Sequence, residues 1–273
     1  MIVLLLSGLW VRGQELYVYT EPASNMPAHS VSTKVSANIT GKNHAAGNRF
    51  MQRYTPEFML ALNRKWMVHA GLTVADVHTS NVRWESVYTL IKYRFYSVDD
   101  VHKHFRMAVY AIGAYTRSPF EYDEIDMQGD KSGVEVGLIA TQLLNKLALS
   151  ATVSHDQVLD ASRYDKIAYT PARNYQAMRY SLSAGYLLLP REYNSYKQLN
   201  LNLYVELLGQ QTLDRKKDYW DLAPGLQFIF NSNAKLNLGY RFQVNGNMLR
   251  SGTQSMLISY ERTFLEALKK RKR

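Results

Sequence analysis

The sequence predicts an all-β protein, with about twelve antiparallel strands forming a single up-and-down transmembrane β-barrel. Apolar residues recur at every second position along most of the 273-residue chain, the period of a strand with one apolar face. The repeating segments are close to the 9–11 residues that a tilted strand needs to cross the hydrocarbon of a bilayer. Short and long connections alternate, as they do in membrane barrels. These three observations define the fold class.

Composition excludes several other classes of protein. The chain has no cysteine, which rules out disulfides, thiolate metal sites and a cysteine nucleophile. No apolar run reaches the roughly 18 residues of a membrane-spanning helix, so a bundle of such helices is excluded. With 20 Tyr, 9 Phe and 4 Trp, the chain is too rich in large apolar groups to be disordered. A β protein remains, surrounded either by water or by lipid.

The chain begins with a short apolar stretch, residues 1–10, that is too short to span a bilayer as a helix. We interpret residues 1–14 as a signal peptide. The basic residues that usually precede the apolar stretch are missing, which is expected if the signal peptide is truncated or its start is placed too late. The alternative is a buried N-terminal strand. Residues 15–29 are then a periplasmic N-terminal segment, residues 30–264 the barrel, and residues 265–273 a basic, solvated tail.

The strand at 198–208 shows the alternation most clearly, with Leu201, Leu203 and Val205 on one face and Asn202 and Glu206 on the other. The same pattern recurs at 146–155, 177–189 and 234–244, and weaker versions complete the set. In chain order we predict strands at 30–39, 54–63, 66–76, 84–96, 104–116, 133–143, 146–155, 177–189, 198–208, 218–230, 234–244 and 253–264.

The polar face of these strands is mostly Ser, Thr, Asn, Gln and Gly, which suits a crowded, wet lumen. A soluble barrel that binds a small ligand, the alternative, would carry a densely charged outer face. The links at 63–65, 144–145 and 231–233 are short, whereas most links of the other set are long, for example 117–132 and 156–176. An even number of strands places both termini in the periplasm.

The pattern over residues 28–264 resembles the outer-membrane β-barrel proteins of Gram-negative bacteria. The stretches 21–26, 99–107, 140–144, 189–193 and 223–229 are similar to a group of uncharacterised exported barrels, some loosely labelled transporters. This resemblance implies an outer-membrane location, contact with lipid and lipopolysaccharide, and insertion by the barrel-assembly machinery. It carries no catalytic or binding residues. The last strand ends in the aromatic Phe264, although the chain continues beyond it, unlike the usual pattern of this family.

Strand parity places two sets of charged residues on the inner face of the barrel. Two interpretations stay open: a porin-like pore for small polar solutes with weak anion preference, or a narrow lumen plugged by paired charges in a structural or partner-binding barrel. The predicted pore-lining cations are Lys34, Lys92, Arg94, Arg106, Arg179, Lys235 and Arg241, and the anions are Glu57, Glu135, Glu206, Asp221 and Glu261.

His78 and Ser80 form the one constellation that suggests an enzyme. Two positions apart on a strand, they would share a face, which the parity of the preceding strand puts on the lipid side near the outer rim. The stretch faintly resembles the His-x-Ser-Asn element of outer-membrane phospholipases, in which His78 would accept the proton of Ser80 and Glu85 or Asn81 would orient the ring. We expect a polar loop and no enzyme. A lipid-modifying hydrolase is the less favoured alternative.

An acidic loop follows the fifth strand. On the outer surface it could bind a divalent cation or bridge to lipopolysaccharide phosphates, but it lacks the spacing of a calcium loop, so we expect a solvated loop without metal. Its candidate ligands are Glu121, Asp123, Glu124 and Asp126.

Neither cofactor nor nucleic acid is predicted. The net charge of +10 and the basic residues 269–273 would suit nucleic acid, but no recognition motif accompanies them. The sequence does not specify an oligomeric state.

Overall fold

Period-two alternation forms twelve strands, each paired antiparallel with its neighbours in the chain, and β1 closes the barrel on β12. The computed structural model describes residues 17–41, 50–100, 103–118, 121–159, 174–191 and 197–269. The predicted fold class is confirmed. The strands are β1 Ser30–Thr40, β2 Met51–Ala61, β3 Trp66–Ala75, β4 Arg83–Asp99, β5 Lys103–Thr116, β6 Gly133–Leu144, β7 Leu147–Val158, β8 Gln176–Leu189, β9 Asn200–Thr212, β10 Asp218–Phe230, β11 Ala234–Gly246 and β12 Gln254–Phe264.

The largest error in the predicted bounds is at the end of β9, which runs four residues beyond the predicted strand, to Thr212. A second error concerns β2, which starts three residues earlier than the alternation suggests. Met51, Gln52 and Arg53 pair with the end of β1. Two adjacent polar side chains, Gln52 and Arg53, interrupt the alternation and hide this extension. The error matters because it left Arg53 outside the predicted lumen. The predicted signal peptide, residues 1–14, and the last four residues of the tail lie outside the described part of the chain.

The outward faces of the strands are apolar and open to the surroundings, while the inward faces carry the polar and charged residues. This arrangement is the reverse of a soluble barrel and matches a barrel embedded in lipid. Exposed outward residues include Val35, Ile91, Val136, Leu182, Leu203 and Ile258. The described residues include no helix that is long and apolar enough to cross a membrane.

Glycines on the inner face make room for tyrosine rings from neighbouring strands. At Gly185 a Cβ atom would lie 2.3 Å from a ring carbon of Tyr204, and at Gly137 it would lie 2.4 Å from the ring of Tyr110. The rings therefore lie flat along the wall and do not project across the barrel. This arrangement leaves the centre of the lumen to other parts of the chain.

A charge on the outer face should destabilise the barrel if lipid surrounds it. Leu182 lies in the middle of β8 and is 59% exposed. We expect Leu182→Arg to lower the free energy of unfolding in lipid vesicles by about 2–4 kcal/mol. Guanidinium unfolding measures the difference, and Leu182→Ala is the matched control for the lost side chain. An Arg variant as stable as the Ala variant would mean that water, not lipid, covers this face.

Candidate functional site in the lumen

The barrel has one end with short turns, such as 145–146 and 231–233, and an opposite end with longer loops; we call these the turn end and the loop end. Residues 17–24, the N-terminal segment, enter the lumen from the turn end. Tyr17 and Val18 pack in an apolar cluster with Tyr204 and other wall residues. The ring of Tyr19 approaches so closely that a Cβ atom at Gly239 would lie 2.7 Å from it. The sequence placed this part of residues 15–29 in the periplasm, but it folds back into the barrel.

The carboxylate of Glu206, in β9, holds the start of this segment. It accepts the backbone N–H groups of Val18 at 2.9 Å, Tyr19 at 2.8 Å and Thr20 at 3.0 Å, and the Thr20 hydroxyl at 2.7 Å. Glu206 has no exposed surface. Hydrogen bonds to an ionised acceptor are stronger than those between neutral groups. Glu206 is therefore the main anchor of residues 18–20.

Lys92, in β4, holds the next part of the segment. Its Nζ donates to the Glu21 carboxylate and the Pro22 carbonyl, both at 2.9 Å, and to the Ser24 carbonyl at 3.1 Å. Arg106 also donates to the Ser24 hydroxyl, at 2.8 Å. Burial alone would raise the pKa of Glu21, but the charge of Lys92 lowers it to about 2. Glu21 therefore docks as a carboxylate.

A second insertion comes from the loop end. The loop between β5 and β6, residues 117–132, is called L3 below, and its described part folds into the lumen. Ile125 and Met127 have no exposed surface. They share an apolar cluster with Ala23 of the N-terminal segment and with wall residues of β4 to β8. Both inserted segments therefore contribute to one apolar cluster inside the barrel.

Hydrogen bonds also hold the backbone of L3 against the wall. Gln210 accepts the N–H of Ile125 at 2.9 Å and donates to its carbonyl at 2.8 Å. The Nη2 of Arg179 donates to the same carbonyl at 2.6 Å. On the opposite wall, Ser86 donates to the carbonyl of Gln128 at 3.0 Å. L3 is thus fixed by strands on several sides of the barrel.

The acidic side chains of L3 face arginines, which corrects the prediction of a solvated surface loop. Glu124 lies 3.1 Å from Arg250 and 3.4 Å from Arg241. Asp126 lies 2.9 Å from Arg53, which also pairs with Asp130. The fourth predicted ligand of this loop, Asp123, is buried 3.6 Å from Lys217. Among the described residues, no cluster of acidic and histidine side chains could hold a metal ion.

This burial shifts the pKa values of the loop residues. Burial alone would raise the pKa of Glu124, but the guanidinium groups of Arg250 and Arg241 lower it to about 2. Burial alone would also raise the pKa of Asp130, but the charges of Arg53 and His78 hold this pKa well below its usual value. At Asp126 burial dominates and raises the pKa. Burial lowers the pKa of Lys131 to about 8.

His78 lies in the loop after β3, and its side chain is fully buried against L3. Its Nδ1 is 2.9 Å from Glu121 and its Nε2 is 3.7 Å from Asp130. The prediction that His78 and Ser80 share the lipid face of a strand is wrong, because β3 ends at Ala75 and the ring faces L3. Ser80 is exposed. The partner that orients the ring is Glu121, which the sequence did not suggest.

The predicted inner-face charges lie on the lumen side of the strands, and many of them pair with each other. Lys34 and Glu57 are 2.8 Å apart, and Lys235 and Glu261 are 2.9 Å apart. Asp221 binds both Arg241 and Arg250. Further contacts of this set join Glu135 to Tyr110 and Ser154, Arg179 to Asp156, and Arg106 to Asp99; Arg94 lies half-exposed at a bulge of β4.

Several charged residues of the lumen were not predicted. Extending the parity of β2 and β7 beyond their predicted ends would have found Arg53 and Asp156. Glu85 has the outward parity of β4 and is buried because the pairing of β3 with β4 shifts register beside it. Parity gives no signal for residues that lie outside strands. The missed residues of that kind are Glu21, Asp130, Lys131 and Arg250.

Neither a family model nor a curated protein sequence matches the chain. Solved structures do match. An outer-membrane channel from Pseudomonas putida F1 is 12% identical, with a TM-score of 0.54 over 91% of this chain and 100% of that one. The NanC porin is 12% identical, with a TM-score of 0.50 over 84% of this chain and 98% of that one.

At this identity the likeness is one of fold. The closed twelve-strand barrel, its apolar exterior and these two neighbours agree with the predicted outer-membrane location. The chain has the fold of the outer-membrane β-barrel proteins of Gram-negative bacteria.

Proposed function

We propose that the protein is an outer-membrane channel for small polar solutes, with weak anion preference, and that the N-terminal segment and L3 close it at rest. The observation that carries this proposal is the way the lumen is filled. Two tethered segments lie inside the barrel, and ion pairs and hydrogen bonds from the strands and from the loop between β11 and β12 hold them. A tethered segment can leave the lumen without any change in the barrel.

The likeness to a channel and a porin supports transport. The cations that hold the segments support the anion preference: withdrawal of the carboxylates of L3 would leave Arg53, Arg241 and Arg250 facing the path of a solute. Small polar solutes fit a barrel of twelve strands, whose lumen is narrow once wall side chains occupy part of it.

A permanently plugged structural or partner-binding barrel is the second candidate. The apolar cluster that contains Ala23, Ile125 and Met127 favours it, because withdrawing either segment would expose apolar surface to water. The two candidates differ in whether the segments ever leave the lumen.

Single-channel recording in a planar bilayer tests the proposal. We expect brief steps of small conductance from the whole chain and larger, longer steps from a variant that lacks residues 17–24, with a reversal potential in a salt gradient that favours anions. A heat-modifiable shift in gel mobility is the control for an intact barrel. Intact barrels that give no steps with either chain would support the permanently plugged barrel.

A further inference from the structure

Four of the side chains that hold L3 are arginines, and together they form a cationic surface that faces the lumen. It consists of Arg53, Arg179 and Arg241 from the strands and Arg250 from the loop between β11 and β12, and we call it the arginine surface. Each of the four bonds to L3. Arg53 binds Asp126 and Asp130, Arg179 binds the carbonyl of Ile125, and Arg241 and Arg250 bind Glu124.

Among the described residues, the rest of the barrel supplies direct ion-pair partners for three of these arginines but none for Arg53, although Glu85 and Glu135 add negative charge near Arg53 and Arg179. Asp156 lies 3.6 Å from Arg179, and Asp221 binds Arg241 and Arg250. Both carboxylates that pair with Arg53 belong to L3, and its buried Nε has no hydrogen-bond partner among the described residues. Without L3, Arg53 would therefore lose both of its ion-pair partners, and Arg241 and Arg250 would share the single carboxylate of Asp221.

The chemistry of L3 indicates what this surface accepts. Three carboxylates of L3 bind guanidinium groups from separate parts of the barrel: Glu124 binds Arg250 in the loop between β11 and β12, and Asp126 and Asp130 bind Arg53 in β2. Guanidinium groups are opposite in charge to carboxylates, and their planar N–H groups can donate two parallel hydrogen bonds to the two carboxylate oxygens. An extended chain with several carboxylates fits this arrangement, whereas a single small anion would reach only part of it.

We propose that the arginine surface is a binding site for an extended solute carrying several carboxylates, and that residues 121–130 of L3 occupy it as an internal ligand. This inference rests on the proposed channel function and specifies its solute class. A solute that takes these arginines displaces L3 and thereby opens the loop end of the lumen.

Because L3 is part of the same chain as the arginine surface, it weakens the apparent affinity of this surface for a free solute. A tethered segment competes at an effective concentration in the millimolar range, and the buried side chains of Ile125 and Met127 add to its hold. A free competitor is therefore expected to act at millimolar concentration. Removing the charges of the internal ligand should make the same competitor bind more tightly.

The first test measures binding of a tetraglutamate peptide by isothermal titration, with tetraglutamine as the neutral control. We expect a variant with Glu124→Gln, Asp126→Asn and Asp130→Asn to bind tetraglutamate at least tenfold more tightly than the natural chain. Asp214→Asn removes an exposed loop carboxylate and should change nothing. Equal affinity of the triple variant and the natural chain, or equal binding of tetraglutamine, would overturn the proposal.

The second test follows the displacement of L3. The chain has no cysteine, so Gln128→Cys, at an exposed position of L3, accepts a single fluorescent label. We expect tetraglutamate to increase quenching of the label by acrylamide at least twofold, in a saturable way. Sodium sulfate of equal ionic strength should have little effect. An equal response to sulfate would mean charge screening and would overturn displacement by a bound solute.

These measurements do not depend on conductance. Tight binding to the triple variant without any channel steps would leave the site in place and contradict the channel. Channel steps without binding would leave the proposed function in place and contradict the site.

Discussion

Glu206→Gln is expected to release the N-terminal segment from the lumen. The carboxylate accepts three successive backbone N–H groups and a hydroxyl, and a neutral amide would offer one oxygen and two competing donors in its place. Losing bonds to a charged acceptor costs about 2–4 kcal/mol. The released population should then rise by about 30- to 1,000-fold.

Hydrogen exchange at the amides of Val18, Tyr19 and Thr20 measures this release, and the protection of all three should fall together. Glu135→Gln is the matched control, because Glu135 is also a buried carboxylate of the lumen but binds Tyr110 and Ser154. Unchanged protection in Glu206→Gln, or an equal loss in Glu135→Gln, would show that Glu206 is not the anchor.

Acid is expected to open the loop end of the barrel. The pKa of Glu124 is about 2 when L3 is docked, against an ordinary value of 4.5. A carboxyl group whose pKa is lowered by docking stabilises the docked state above its ordinary pKa, and this stabilisation is lost as the pH falls towards the docked pKa. The window runs from about pH 5 down to about pH 2, and the shift corresponds to about 3 kcal/mol.

Neighbouring groups modify this response in known directions. Asp130 acts with Glu124, because its pKa is also lowered. Asp126 acts against them, because its raised pKa favours the docked state in acid. Burial would lower the pKa of His78, but Asp130 and Glu121 raise it, so His78 stabilises docking below its ordinary pKa and loses this effect as the pH rises. Lys131, with a pKa of about 8, stays protonated from pH 7 downwards.

Single-channel recording between pH 7 and pH 3 checks this expectation. The open fraction of the natural chain should change little down to about pH 5 and rise steeply below it. Glu124→Gln should be more open at pH 7 and respond less to acid. Asp214→Asn, a change in an exposed loop, should behave as the natural chain does. A flat profile in the natural chain would mean that the Glu124 ion pairs do not hold L3.

The sequence by itself determined the barrel. A strand with lipid on one face and a polar lumen on the other must alternate apolar and polar residues. That rule also placed Lys34, Glu57, Lys235 and Glu261 on the inner face, where they form pairs across neighbouring strands. It worked at these positions because each residue lies within a strand whose apolar face is unambiguous.

Only the tertiary structure decided what fills the lumen. A loop has no sequence period. The sequence of an acidic stretch such as residues 121–126 therefore does not show whether the loop lies in water or is buried against arginines. The partners are far apart in the chain: Glu124 meets Arg250, 126 positions away, and Glu206 meets Val18, 188 positions away. Closure of the barrel places residues this far apart in the chain around one lumen. A reading by period within single strands cannot show which of them meet.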